Sequence, residues 1–263
     1  MSVPPCMTVL ERNGQYRIPD GLLTTLHLVP GFIFGGFYIV LSRLFIQHGL
    51  TGYLALLIAV PACLAPVEIG TMLLWSKRCT GRISLSPAIT YHQQGTALEY
   101  IGLPLLLFAC WAILAIAISP ITQYLNAHLT PLLPAWISQQ ALITGLASSS
   151  PAQRAVALGL AVFLSGFVAP VVEELYFRGF LLPRMEHWGW VAPVLNALLF
   201  AIYHFYFPGN VLVIFAAFYP ICYVVMRKKN WRIGLVTHCL FNLWGVFYTS
   251  ILISQGDQFG IFP

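Results

Sequence analysis

Charge is what this sequence has least of. Only 8% of its 263 residues are Asp, Glu, Lys or Arg, against 59% hydrophobic, and the mean hydropathy is +0.80. So little polar surface cannot cover a core of that size, which excludes an ordinary water-soluble domain and leaves an integral membrane protein. Other absences narrow the reading further. No internal repeat, low-complexity tract or glycine-rich phosphate loop occurs, and a nucleic-acid partner has nothing to hold. The six cysteines form no CxxC pair and lie mostly within apolar runs. They read as small buried hydrophobes, not as a disulfide or zinc framework.

What the chain does have is a series of long apolar runs. The first, about Leu22 to Ile46, exceeds a signal-peptide core and lacks a small-x-small cleavage site, so it reads as a retained helix. The second, Tyr53 to Trp75, carries Pro61, Pro66 and Glu68 and predicts a kinked span with one costly carboxylate inside. A third runs from Tyr100 to Ile118. Residues 119–153 hold no charge and are broken by Pro120, Pro131 and Pro134, so 132–146 is assigned to an interfacial or re-entrant helix. Four further runs follow, at 155–182, 191–207, 211–226 and 233–253, making seven spans. With a cytoplasmic N-terminus, 11 of the 13 Lys and Arg fall at cytoplasmic ends, and only Arg43 and Arg154 fall outside. That bias accounts for the net charge of +5 and puts the C-terminus on the opposite side. The expected fold is an all-α polytopic membrane bundle of about seven transmembrane helices plus one interfacial or re-entrant helix, forming a single membrane domain over 1–263. Its compact length and short loops point to a bacterial plasma membrane.

The polar residues inside these runs carry the chemistry. In Pro170-Val-Val-Glu-Glu-Leu-Tyr-Phe-Arg-Gly179, Glu174 and Arg178 are four apart and share a helix face, whereas Glu173 lies about 100° round and is free to take a proton. His204, and His238 with Asn242 four residues on, occupy later runs, and Asn196 precedes His204 by two turns and could face the same cavity. Counting from the turn at Trp188-Gly189, Glu173 and His204 are equidistant, about 22 Å along each arm of a hairpin, so they meet. Converging Glu, His, His and Asn side chains suit peptide-bond hydrolysis. Glu173 with His204 would hold and deprotonate a water, and Asn242 with a protonated His238 would donate hydrogen bonds to the oxyanion. No G-x-S-x-G elbow frames a serine and no intramembrane H-E-x-x-H occurs. Glu and two His would still make acceptable zinc ligands, so a metal is the internal rival.

Glu173, Glu174 and Arg178 (E-E-x-x-x-R), Phe200 and His204 (F-x-x-x-H), and His238 and Asn242 (H-x-x-x-N), in this order on successive hydrophobic segments, resemble the CPBP family of intramembrane glutamic endopeptidases. That family includes CaaX prenyl-protein endopeptidases and bacterial proteins linked to bacteriocin processing and self-immunity. The resemblance covers about 155–253, the expected catalytic core, and leaves 1–154 free to encode specificity. It implies that Glu173 and His204 activate water, that His238 and Asn242 form the oxyanion hole, and that Glu174, Arg178 and Phe200 support them. No metal or other cofactor would be needed. The implied partners are the bilayer and a membrane-associated protein or peptide substrate, lipidated or not. Two other classes stay open on the sequence: a non-catalytic immunity or scaffold protein, and an ion or proton transporter using the buried Glu and His groups as a relay.

Overall fold

Proline placement governs how the long helices of this chain are wound. In the computed structural model, which describes residues 18–255, α1 (Asp20–Gln47) is followed by α2 (Gly52–Ala59) and α3 (Ala65–Thr80). A π-helical segment, Val60–Leu64, joins α2 to α3 and contains Pro61. Proline has no N–H to give to the preceding turn, and a local π register absorbs the loss without ending the helix. The same device recurs beyond α6 (Pro151–Leu160). There Ala161–Val168 is π-helical, α7 (Ala169–Glu173) follows, and Glu174–Leu181 is π-helical again before a 3₁₀ stretch, Leu182–Trp188.

Among the described residues, six helical runs are long and apolar enough to cross a membrane: Asp20–Gln47, Gly52–Thr80, Ala97–Leu132, Pro151–Trp188, Pro208–Lys228 and Trp231–Ser254. The architecture is all-α and polytopic. The fifth expected span is shorter than its apolar run. Helix α8 (Val191–Tyr203) has 13 residues and rises about 20 Å, below the roughly 30 Å of a hydrocarbon core. It ends at Tyr203, its C-cap His204 lying at φ −84°, ψ 32°, and Phe207 before Pro208 is held out of helical geometry at φ −129°, ψ 65°. A short 3₁₀ turn then leads into α9 (Val211–Lys228), and α10 (Trp231–Gln255) is the last element among the described residues. The third run is longer than expected. Helix α4 (Ala97–Leu129) continues through Pro120 and starts in a capping box between Thr96 and Glu99. The uncharged region after it forms two 3₁₀ turns and the nine-residue helix α5 (Gln139–Ala147).

The loops rich in basic residues gather at one end of the bundle. The connection 81–96 is stitched to the other two turns there: Thr90 N–H donates to the Gly179 carbonyl at 3.0 Å, Gln93 N–H to Lys229 at 2.9 Å and Trp231 N–H to Tyr91 at 3.1 Å. Tyr91 hydroxyl and Lys229 ammonium both hydrogen-bond the Glu186 carboxylate. Burial, with that carboxylate beside it, raises the Tyr91 phenol above its ordinary pKa and keeps it a neutral donor. His187 reaches Asp20 at 3.1 Å, bringing the start of α1 to this end. The two exceptional arginines have other tasks: Arg43 sits 5.1 Å over the Trp136 ring, and Arg154 caps carbonyls at the end of α5, 2.8 Å from Ala147. Arg12, Arg17 and Cys6 lie outside the described residues. Cysteine also departs from the sequence reading. Cys63 and Cys222 are buried thiols, but Cys110 is exposed and Cys79 is disulfide-bonded.

Candidate active site

Glu173 ends α7, and both of its carboxylate oxygens face histidines. Oε1 is 3.8 Å from His204 Nε2, at the end of α8, and Oε2 is 3.6 Å from His238 Nε2, on α10. The structure thus brings together three groups from three separate apolar runs. Exposure is uneven: the side chain of His204 is 17% exposed against 5% for Glu173 and 4% for His238.

The outer nitrogen of each imidazole determines what the inner one can do. His204 Nδ1 is 2.9 Å from the Phe200 carbonyl. A carbonyl only accepts, so Nδ1 carries the proton and Nε2 presents a lone pair to Glu173 in the neutral ring. His238 Nδ1 is 3.0 Å from Glu174 Oε1, and the same oxygen lies 3.2 Å from Arg178 Nη1. Glu174 therefore joins Arg178 to His238, which places it in the site and not merely beneath it. Arg178 and Glu174 are fully buried. None of the Arg178 nitrogens is aligned for a hydrogen bond. The guanidinium instead lies between aromatic rings, 4.2 Å from the Phe200 centroid and 4.7 Å from Phe218. Phe200 thus has a definite task as one face of that sandwich.

Asn242 is one turn beyond His238 and donates from Nδ2 to the Ser165 carbonyl at 2.8 Å. The π register explains why that carbonyl is free. Ala169 N–H bonds to Leu164 O, five residues back, so the donor for Ser165 O in the same register would be Pro170, which has none. One amide hydrogen of Asn242 satisfies the orphan and the other remains.

Several residues of the site escaped the sequence reading. Gly234 lies one turn before His238, and a Cβ there would collide with Glu174 Oε2. Its only sequence signal is the four-residue spacing to His238. Phe218 packs edge-on to His238, ring centroids 4.7 Å apart, and looks in sequence like any apolar α9 residue. Asn196, conversely, does not enter the site. It is fully buried and turned to other partners, with Nδ2 2.9 Å from His27 Nε2 and 3.2 Å from the Phe177 carbonyl, while Oδ1 accepts from the Cys222 thiol at 3.2 Å. Among the described residues, no three His, Cys, Asp or Glu side chains converge as a metal-holding group.

Fold and site together define a polytopic helical membrane protein with a Glu–His–His cluster buried at the meeting of α7, α8 and α10. Residues 155–244, which contain every member of that cluster, match the family model for Rce1-like type II CAAX prenyl endopeptidases. The segment is similar to that family, a likeness consistent with an intramembrane protease of the CPBP family. Comparison with curated proteins and with solved structures returned no match.

Proposed function

We propose that this protein is an intramembrane endopeptidase that hydrolyses a peptide bond in a membrane-associated protein or peptide, with Glu173 as the base that activates water. The observation that carries the reading is the pair formed by Glu173 Oε1 and the bare Nε2 of His204, 3.8 Å apart. Both are acceptors, and their separation exceeds a direct hydrogen bond. A molecule with two donor hydrogens satisfies both, and water is that molecule.

In the proposed reaction the water oxygen attacks the substrate carbonyl carbon as Glu173 takes one of its protons. The oxyanion that forms receives a hydrogen bond from the second amide hydrogen of Asn242. It receives another from Nε2–H of His238 in its imidazolium form, whose Nδ1–H stays on Glu174. Collapse of the tetrahedral intermediate breaks the C–N bond, and the proton held by Glu173 passes to the departing amine. The water's other hydrogen leaves with the new carboxyl group. Nothing in this cycle requires a metal or other cofactor. The substrate class is a protein or peptide at the bilayer, lipidated or not. The basic end of the bundle faces the cytoplasm of a bacterial plasma membrane by the positive-inside bias, and residues 155–253 form the catalytic core.

The test is single-turnover cleavage of one defined substrate, found by screening a membrane-peptide library against purified protein in detergent. Glu173→Gln and His204→Ala are expected to lose at least about 10²-fold in rate, the range of a general base. Asn242→Ala removes one of two oxyanion donors and leaves a measurable remnant, about 10²- to 10³-fold down. A folded Glu173→Gln protein within about tenfold of wild type would remove the glutamate from the role of base.

A further inference from the structure

Among the described residues, Glu68 is the buried carboxylate that the reaction above leaves unused. It lies on α3, far outside the matched segment 155–244, and is fully buried. Its Oε1 accepts a hydrogen bond from the Tyr203 hydroxyl at 2.9 Å, whereas Oε2 has no partner among the described residues. A buried carboxyl in an apolar helix that makes one hydrogen bond, to one particular residue, is expensive to keep. What it holds therefore matters.

Tyr203 is the last residue of α8 and His204 is its C-cap, at φ −84°, ψ 32°. The helix has already unwound at His204, so backbone regularity beyond it does not aim the imidazole. The ring is fixed by the Nδ1–H bond to Phe200 and by neighbouring rings: Phe200 at 4.7 Å, Tyr203 at 4.9 Å and Tyr206 at 5.6 Å between centroids. Tyr203 is itself held from two elements of the amino-terminal half. Its ring fills the space beside Gly31 of α1, where a Cβ would come within 2.6 Å of Cδ2, and its hydroxyl is tied to Glu68 of α3.

We infer that Glu68 is a positioning residue: through its hydrogen bond to Tyr203 it sets the ring wall that aims His204 Nε2 at Glu173. The amino-terminal half of the chain thereby completes a site whose other members all lie within 155–244. The inference rests on the proposed role of His204 only for its effect on turnover. Its effect on geometry stands apart from that role.

The experiment has two readouts. The first is the ¹⁵N resonances of the His204 ring in selectively labelled protein carrying Glu173→Gln, so that chemistry plays no part. Glu68→Ala and Tyr203→Phe are expected to shift the same resonances in the same direction. Glu68→Gln leaves them in place, because its amide oxygen accepts the same phenol hydrogen bond. The second is turnover with Glu173 intact, where Glu68→Ala and Tyr203→Phe lower kcat about tenfold or more at unchanged KM, the cost of a misaimed catalytic group. The double variant is no worse than the poorer single one, since both break one link. Tyr203→Phe removes only a hydroxyl and serves where Glu68→Ala does not fold. Unmoved His204 resonances in a folded Tyr203→Phe protein overturn the inference. Shifted resonances with undiminished kcat support the positioning and instead remove His204 from the catalytic role.

Discussion

Arg178 shows how one side chain can be both structural and part of the site's electrostatics. Its charge is buried 3.2 Å from Glu174 and stacked 4.2 Å from Phe200 and 4.7 Å from Phe218, both of which also pack against His238. Removing it leaves the Glu174 carboxylate buried without its cation, and Arg178→Ala is expected to cost about 3–5 kcal/mol in chemical unfolding in detergent. Arg178→Lys keeps the charge but loses the planar stack, and a smaller loss of about 1–2 kcal/mol is expected. Equal stability of wild type and the alanine variant would refute the pairing. Gly234 gives a sharper separation of function from stability. A Cβ there drives Glu174 aside, and Glu174 aims His238, so Gly234→Ala should lower single-turnover rate by about tenfold or more.

At the scale of the helix, the site depends on register as much as on residue identity. The π segment before α7 ends at Val168, and the missing N–H of Pro170, two residues on, leaves the Ser165 carbonyl for Asn242. Pro170→Ala restores a backbone donor that competes for that carbonyl and permits an α register upstream of Glu173. Changing the register by one residue turns a side chain by about 100°. Activity is therefore expected to fall at least about tenfold. Unfolding stability should change little or rise, since a helix-interior proline has been removed. A Pro170→Ala protein with full activity would show that the register is held elsewhere.

Among the described residues, packing runs across the boundary of the matched segment. A single apolar cluster joins Leu23, Met72, Tyr91 and Leu107 to Phe177, Phe200 and Phe218, and Tyr203 packs into the gap beside Gly31. A fragment comprising 151–263 alone is accordingly expected to show no cooperative thermal transition in detergent. Co-expression with 1–150 should restore both the transition and substrate cleavage. Cooperative unfolding of the isolated fragment, at the temperature of the whole chain, would contradict this.

The amino-acid sequence by itself determined the solvent of the protein, the all-α architecture and the order of the polar groups. In a chain with 8% charged residues, each ionisable side chain inside an apolar run carries a burial cost and stands out for that reason. Glu173, Glu174, Arg178, His204, His238 and Asn242 were legible on those grounds. Which of them touch was decided only by tertiary structure, because contact depends on helix azimuth, and three π segments alter azimuth without altering polarity. Asn196 has the same polarity and spacing signal as the site residues, yet its helix face turns it to His27. Glu68 was visible as a costly group, but its partner Tyr203 lies 135 residues away and no local pattern links them. Gly234 left only its four-residue spacing to His238 in the sequence, and Phe218 left nothing. Their part comes from the space they vacate or fill against Glu174 and His238, and space between helices exists only once the helices have packed.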